Sequence, residues 1–131
     1  MPSYSKKSMD KLEQCDARLQ KVFMRVIQKF DNTIITGYRN KEEQEAHFRA
    51  GRSQVRYPNS KHNTKPSIAI DVAPYPIDWE DRERFTYFAG YVLGVADSMG
   101  IKLRWGGDWD RDTQVKDNGF DDLLHFEIVD V

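Results

Sequence analysis

Residues 60–76, S-K-H-N-T-K-P-S-I-A-I-D-V-A-P-Y-P, decide how this chain is read. Positions 67–73 are apolar nearly throughout, too few for a helix, and closed by Pro74 and Pro76, so they read as a buried strand. Asp71 interrupts that strand. A carboxylate buried there without a partner costs several kcal/mol, so something must offset it. Two answers stay open on the residues alone: a salt bridge to an arginine, or a metal ion. His62 lies nine positions upstream, in the loop that feeds the strand.

Working outward, residues 8–30 place Leu12, Cys15, Leu19, Val22, Phe23, Val26, Ile27 and Phe30 at helical spacing, which predicts one long amphipathic helix. T-I-I-T at 33–36 predicts a short strand closed by Gly37. Asn40 is placed to cap a helix over 41–50, with Glu42 and Glu43 in its first turn and Gly51 as its stop. Downstream, Asp78 is the expected cap of a helix over 79–99, stopped by Gly100. Residues 101–105 predict a strand and 106–119 a polar loop. Residues 123–129 predict a last strand bearing His125 and Glu127. This order implies an α+β fold, with helices packed on a small, mostly antiparallel sheet.

The chain has 131 residues, the size of a single domain that buries roughly two-thirds of its unfolded surface. Its hydrophobic fraction of 39% and aromatic fraction of 12% are those of a globular protein and not of a disordered one. Lys and Arg number 20 against 21 Asp and Glu, a net charge of -1. That balance lacks the basic excess of a nucleic-acid binder or a nuclease, so no nucleic-acid partner is expected. No apolar run approaches the length of a membrane span, and no membrane partner is expected. The polar segment 1–11 has no apolar core of a secretory signal, which implies synthesis in a cytoplasm. Cys15, the only cysteine, sits on the apolar helix stripe and reads as a core thiol.

Of the three histidines, His47 falls in a charged helical stretch and reads as structural or solvated. His62 and His125 each stand near a carboxylate on or beside a strand. With Asp71 they make two imidazoles and one carboxylate, the donor set of a catalytic zinc site with one position left to water. Such a site needs a base. Asp122, three residues before His125, and Glu127, two residues after it on the same strand face, are both candidates. Glu127 has a second reading as a hydrogen-bond partner of a ligand.

These residues carry a resemblance. Ser60-Lys61-His62 through Ala69-Ile70-Asp71, followed by Asp122-Leu123-Leu124-His125, resembles the paired motifs S-x-H-x-x-G-x-A-x-D and [E/D]-x-x-H of the VanY-type D-alanyl-D-alanine carboxypeptidase and L-alanyl-D-glutamate endopeptidase family. T-G-Y-R at 36–39 and R-W-G-G-D-W at 104–109 resemble its phage endolysin branch, and the likeness runs from about residue 19 to 127. Two positions depart from the pattern. Ser67 stands at the family's glycine, and the interval from His62 to Asp71 is two residues longer. The residues 63–66 are the expected place for the extra length. The base position holds Asp, one methylene shorter than Glu.

The resemblance implies a hedgehog or D-Ala-D-Ala peptidase-like fold carrying a zinc site, with His62, Asp71 and His125 as ligands and Asp122 as general base. It implies that Arg39 steadies the scissile carbonyl oxygen, and that Ser60, Asp108 and Trp109 lie near the substrate, with Trp105 in the same cleft-lining segment. The implied activity is zinc-dependent hydrolysis of the L-alanyl-D-glutamate bond in the peptidoglycan stem peptide. The implied setting is host lysis by a monomer, made in the host cytoplasm, that reaches the cell wall after release. Residues 1–131 would form one catalytic domain without a separate wall-binding domain. A D-alanyl-D-alanine carboxypeptidase is the alternative within the family, and a non-catalytic peptidoglycan-binding domain is the alternative outside enzymes. Arg52, Arg56 and Lys61 suit the carboxylate recognition of either peptidase. Asp108, Asp110 and Asp112 alternate as at the start of a calcium loop, but Thr113 stands at its sixth position and Gly119 at its twelfth, against the glycine and glutamate required.

Overall fold

The computed structural model describes residues 2–111, 113 and 122–129. The elements run α1 (Lys6–Leu12), α2 (Ala17–Val26), β1 (Asn32–Thr36), α3 (Lys41–Arg49), a 3-10 turn (Lys61–Asn63), β2 (Ala69–Pro74), α4 (Arg82–Ser98), β3 (Leu103–Gly106) and β4 (Asp122–Ile128). The strands form one sheet in the order β1-β2-β4-β3, every pair antiparallel. The α+β expectation holds.

β2 and β4 occupy the centre, and their alternation sorts the side chains. Ile70, Val72, Phe126 and Ile128 lie on the face that joins the core with Leu19, Val22 and Phe23 of α2 and Phe88, Ala89 and Val92 of α4. Phe126 is fully buried, with the rings of Phe23 at 5.7 Å and Phe88 at 6.2 Å, both edge-on. Truncating a ring so placed typically costs about 3–5 kcal/mol. Asp71, His125 and Glu127 alternate with these residues and fall on the opposite face. The register pairs Asp71 directly with His125 and Ala69 with Glu127.

The single helix expected over 8–30 is two helices. The break falls at Cys15 and Asp16, where the backbone extends to pair with the lead of β2. Asp16 N–H donates to Ser67 O at 2.8 Å, and Ser67 N–H donates to Gln14 O at 3.0 Å. Asp16 then caps α2 through its side chain, which accepts from Arg18 N–H at 2.9 Å. The apolar stripe runs across the break, because residues on both sides of it face one core.

α4 starts later than expected. Asp81 is its cap, accepting from Arg84 N–H at 3.1 Å, while Asp78 serves only a preceding turn through Glu80 N–H. α3 has the expected cap, with Asn40 and Glu43 bonding each other's backbone N–H.

Candidate metal centre and cleft

Asp71 is reached from three sides. Its Oδ1 lies 3.3 Å from His62 Nε2 and 3.4 Å from His125 Nδ1, and its Oδ2 lies 3.3 Å from Arg39 Nη2. Of the two answers left open for this buried carboxylate, the arginine pair is present, and two imidazole nitrogens stand beside the same carboxylate. Burial alone would raise its carboxyl, but the two histidines outweigh burial and hold it far below the usual carboxylate range.

Each imidazole is oriented by an acceptor on its far nitrogen. His62 Nδ1 lies 2.8 Å from Gly37 O, and a carbonyl only accepts, so Nδ1 carries a proton and Nε2 is the nitrogen turned to Asp71. His125 Nε2 lies 2.8 Å from Glu127 Oε1, which leaves Nδ1 toward Asp71. One donor atom from each of His62, Asp71 and His125 falls within 4.8 Å of the others, the only such group among the described residues. His62 Nε2 and Asp71 Oδ1 are both buried and have no hydrogen-bond partner. Orphaned buried polar atoms cost about 1–3 kcal/mol each, and a shared cation would satisfy both. The cluster can hold a metal ion.

Two loops bring His62 there. Arg39 N–H donates to His62 O at 2.8 Å, Asn63 Nδ2 donates to Arg39 O at 2.9 Å, and the His62 ring closes on Gly37 O. The segments 36–39 and 60–63 are therefore fastened to each other. Gly37 permits the fit, because a Cβ there would meet Lys11 O at 2.3 Å. Ser60 caps the 3-10 turn by accepting from His62 N–H at 3.2 Å. Ser67 is fully buried, and its hydroxyl donates to Ala69 O at 2.6 Å within the lead of β2.

A cavity of about 350 Å³ opens over these donors. Arg39, Ser60, Trp109 and Asp122 line it beside His62 and His125, and the Trp109 ring lies 5.4 Å from that of His125. Asp122 begins β4 opposite Gly106, where a Cβ would stand 2.0 Å from the Asp122 carbonyl oxygen. Burial, and then the charge of Asp71, push the Asp122 carboxyl above its ordinary value.

Glu127, the other base candidate, is engaged elsewhere. It accepts from His125 and from Lys61 Nζ at 2.8 Å, and Arg104 Nη1 lies 3.8 Å away. Burial opposes its ionisation, but the bonds to His125 and Lys61 prevail and hold its carboxyl at about 2. Burial likewise opposes charge on His125, but the carboxylates of Asp71 and Glu127 outweigh it and raise the imidazole to about 9.

Two expected residues lie apart. Asp108 accepts from Thr113 N–H at 3.0 Å and lines a different hollow, with Leu93, Asp97 and Lys102. Trp105 does not line the cleft: it is buried in the core, with Nε1–H donating to Leu123 O at 2.9 Å. A Cβ on Gly107 would meet its ring at 2.3 Å, which accounts for that glycine. His47 is not among the metal donors; burial, then the charges of Arg39 and Arg52, hold its imidazole below the ordinary value. In the alternating aspartate run, Asp112 lies outside the described residues.

Gln44 is a residue that sequence reasoning missed. Wholly buried, it accepts from Arg39 Nη1 at 2.9 Å and donates to Ser53 Oγ and Val55 O at 2.9 and 2.8 Å. It ties Arg39 to the wall of the cleft. An uncharged side chain inside a charged helix gives no signal of this in the sequence.

Against known proteins, residues 2–129 match the family described as phage L-alanyl-D-glutamate peptidase. The L-alanyl-D-glutamate peptidase of Escherichia phage T5 is 34% identical over 135 aligned residues, covering 96% of this chain and 97% of that protein. The crystal structure of the Serratia marcescens L-Ala D-Glu endopeptidase ChiX superposes with a TM-score of 0.75 at 25% identity, over 95% of this chain and 88% of that one.

Proposed function

The chain belongs to the phage L-alanyl-D-glutamate peptidase family, and on that premise we propose that it is a zinc-dependent endopeptidase. Its substrate is the L-alanyl-D-glutamate bond of the peptidoglycan stem peptide. The observation that carries the metal part of this reading is the pair of orphaned atoms, His62 Nε2 and Asp71 Oδ1, facing His125 Nδ1.

Zinc fits this donor set on two grounds. Two imidazole nitrogens and one carboxylate suit zinc and not the oxygen-seeking calcium or magnesium. Donor separations of 3.3 and 3.4 Å are close to the edge of a tetrahedron with bonds of about 2.0–2.1 Å. They are long for direct charge-assisted hydrogen bonds, which run at about 2.7–2.9 Å.

Held by His62, Asp71 and His125, zinc would supply Lewis acidity, polarising the scissile carbonyl and acidifying water. The chain's own residues do the rest. Asp122 takes the proton of the attacking water and returns it to the amine of the departing D-glutamyl peptide; its raised carboxyl suits both halves of that transfer. Arg39 holds Asp71 through Nη2, and its Nε, buried and without a bond, is the donor kept for the carbonyl oxygen. Glu127 and Gly37 keep the two imidazoles in their tautomers. Trp109 forms one wall for the peptide and Ser60 holds His62 in place, whereas Asp108 lines a separate hollow. No covalent intermediate is required, in keeping with burial that pushes the Cys15 thiol up to about 12.

The protein acts as a monomer, made in the host cytoplasm and reaching the wall after release. No helix among the described residues is long and apolar enough to cross a membrane.

Mass spectrometry of muramidase-solubilised peptidoglycan incubated with the protein tests the bond assignment. Fragments with a new N-terminal D-Glu are expected. Loss of a terminal D-Ala instead would make the protein a carboxypeptidase, and no new termini would leave a binding domain.

A further inference from the structure

Three cations stand in or beside the loop between α3 and the 3-10 turn, and the structure uses two of them internally. Arg56 is turned onto Glu45, with Nε 3.0 Å from Oε2, and its guanidinium carbon lies 5.5 Å from the Phe48 ring centre. Lys61 is bound to Glu127. Arg52 has no carboxylate partner among the described residues. Its backbone N–H donates to His47 O at 2.9 Å, and its Nε lies 3.4 Å from His47 Nδ1. Those contacts fix the stem of the side chain and leave the two terminal amines, Nη1 and Nη2, for a ligand.

The position of Arg52 matters as much as its charge. Two hollows flank Arg39: the cavity over the metal donors, and a second of about 570 Å³ that Lys11, Tyr38, Glu43 and His47 help to line. Arg39 and Arg52 are the two residues that line both. Arg39 is committed to Asp71 and Gln44, so Arg52 is the exposed cation at the junction. The metal-side cavity also carries the carboxylates of Asp122 and Glu127, which repel an anionic ligand unless a cation answers it.

A glutamyl residue linked to the rest of the stem through one of its carboxyl groups keeps the other free, close to the scissile nitrogen. A planar guanidinium presenting two parallel N–H donors is the side chain that matches such a group. Resting on the endopeptidase reading above, we propose that Arg52 is a specificity-determining residue: it binds the free carboxylate of the glutamyl residue on the leaving side of the scissile bond and rejects stems in which that carboxylate is amidated.

The test is kcat/KM on two soluble muropeptides that differ only in whether this carboxylate is free or an amide, with the zinc content of each variant measured alongside. The wild type prefers the acid by about tenfold or more. Arg52→Gln brings the ratio close to one, chiefly by raising KM for the acid, with zinc content unchanged. Arg52→Lys keeps part of the preference, and Arg56→Gln keeps all of it. The proposal is overturned if Arg52→Gln cuts both substrates in the wild-type ratio, or if the wild type does not distinguish them; in either case cleavage itself leaves the endopeptidase reading intact. If zinc-loaded wild type cuts neither substrate, the endopeptidase reading fails and the proposal goes with it.

Discussion

An imidazole raised to about 9 implies that His125 holds two protons at neutral pH in the metal-free chain, and a bound ion has use for only one of them. The proton on Nε2 is kept by Glu127, while the one on Nδ1 points at Asp71, where the ion would sit. With the imidazole raised to about 9, zinc must displace that Nδ1 proton throughout the neutral range. Zinc affinity should therefore rise by about tenfold per pH unit up to about pH 9, and competition with a chromophoric chelator at several pH values measures the slope. A flat profile would mean that His125 gives up no proton on binding. Substitutions separate holding the ion from moving the proton. Asp122→Asn should keep zinc and lose about a hundredfold or more in turnover, whereas His125→Ala should lose both. Zinc content and initial rate of the two variants decide this, and full activity in Asp122→Asn would return the role of base to Glu127. At this scale the sequence was most informative where a residue broke a pattern, as Asp71 breaks its strand. It was silent where a residue's role depends on a distant partner. Gln44 is known only through Arg39, and Lys61 only through Glu127. Trp105 and Trp109 share one motif, yet one packs in the core and the other walls the cleft.

The elements matter because they convert spacing into approach. β2 and β4 lie side by side, so Asp71 and His125, far apart in sequence, become direct neighbours. The 3-10 turn is fastened to the 36–39 segment, which delivers His62 to the same point. Strand identity was legible from short apolar runs, but pairing was not, because no local signal specifies which strands meet. The break between α1 and α2 was hidden for a related reason. Helical periodicity reports which face is buried, and both helices bury the same face against one core; only the cap at Asp16 marked the boundary. Ser67 at the family's glycine position is equally local, its hydroxyl closing on Ala69 O within its own segment. The contact of β3 with the start of β4 carries its own expectation. Gly106→Ala must push the backbone of Asp122 away, since the new methyl would stand 2.0 Å from its carbonyl oxygen. Activity should fall by about tenfold or more while zinc is retained, and kinetics with metal analysis would show it. Unchanged kinetics would mean that Asp122 needs no such placement.

As a whole molecule, the chain divides its labour between two faces of one sheet. The core face supplies the rigidity that holds three donors at fixed separations without a ligand in place. Among the described residues the other face carries the buried charge, with Glu127, His125, Asp71 and Arg39 in a row and the partly exposed Lys61 joined to Glu127. Preorganisation of this kind lets an ion bind with little rearrangement. The most direct test of the account is titration of chelator-stripped protein with zinc, following the appearance of N-terminal D-Glu from soluble peptidoglycan. The account predicts no activity in the stripped protein and a linear recovery that ends at one zinc per chain. Full activity after stripping, with no zinc bound, would contradict it.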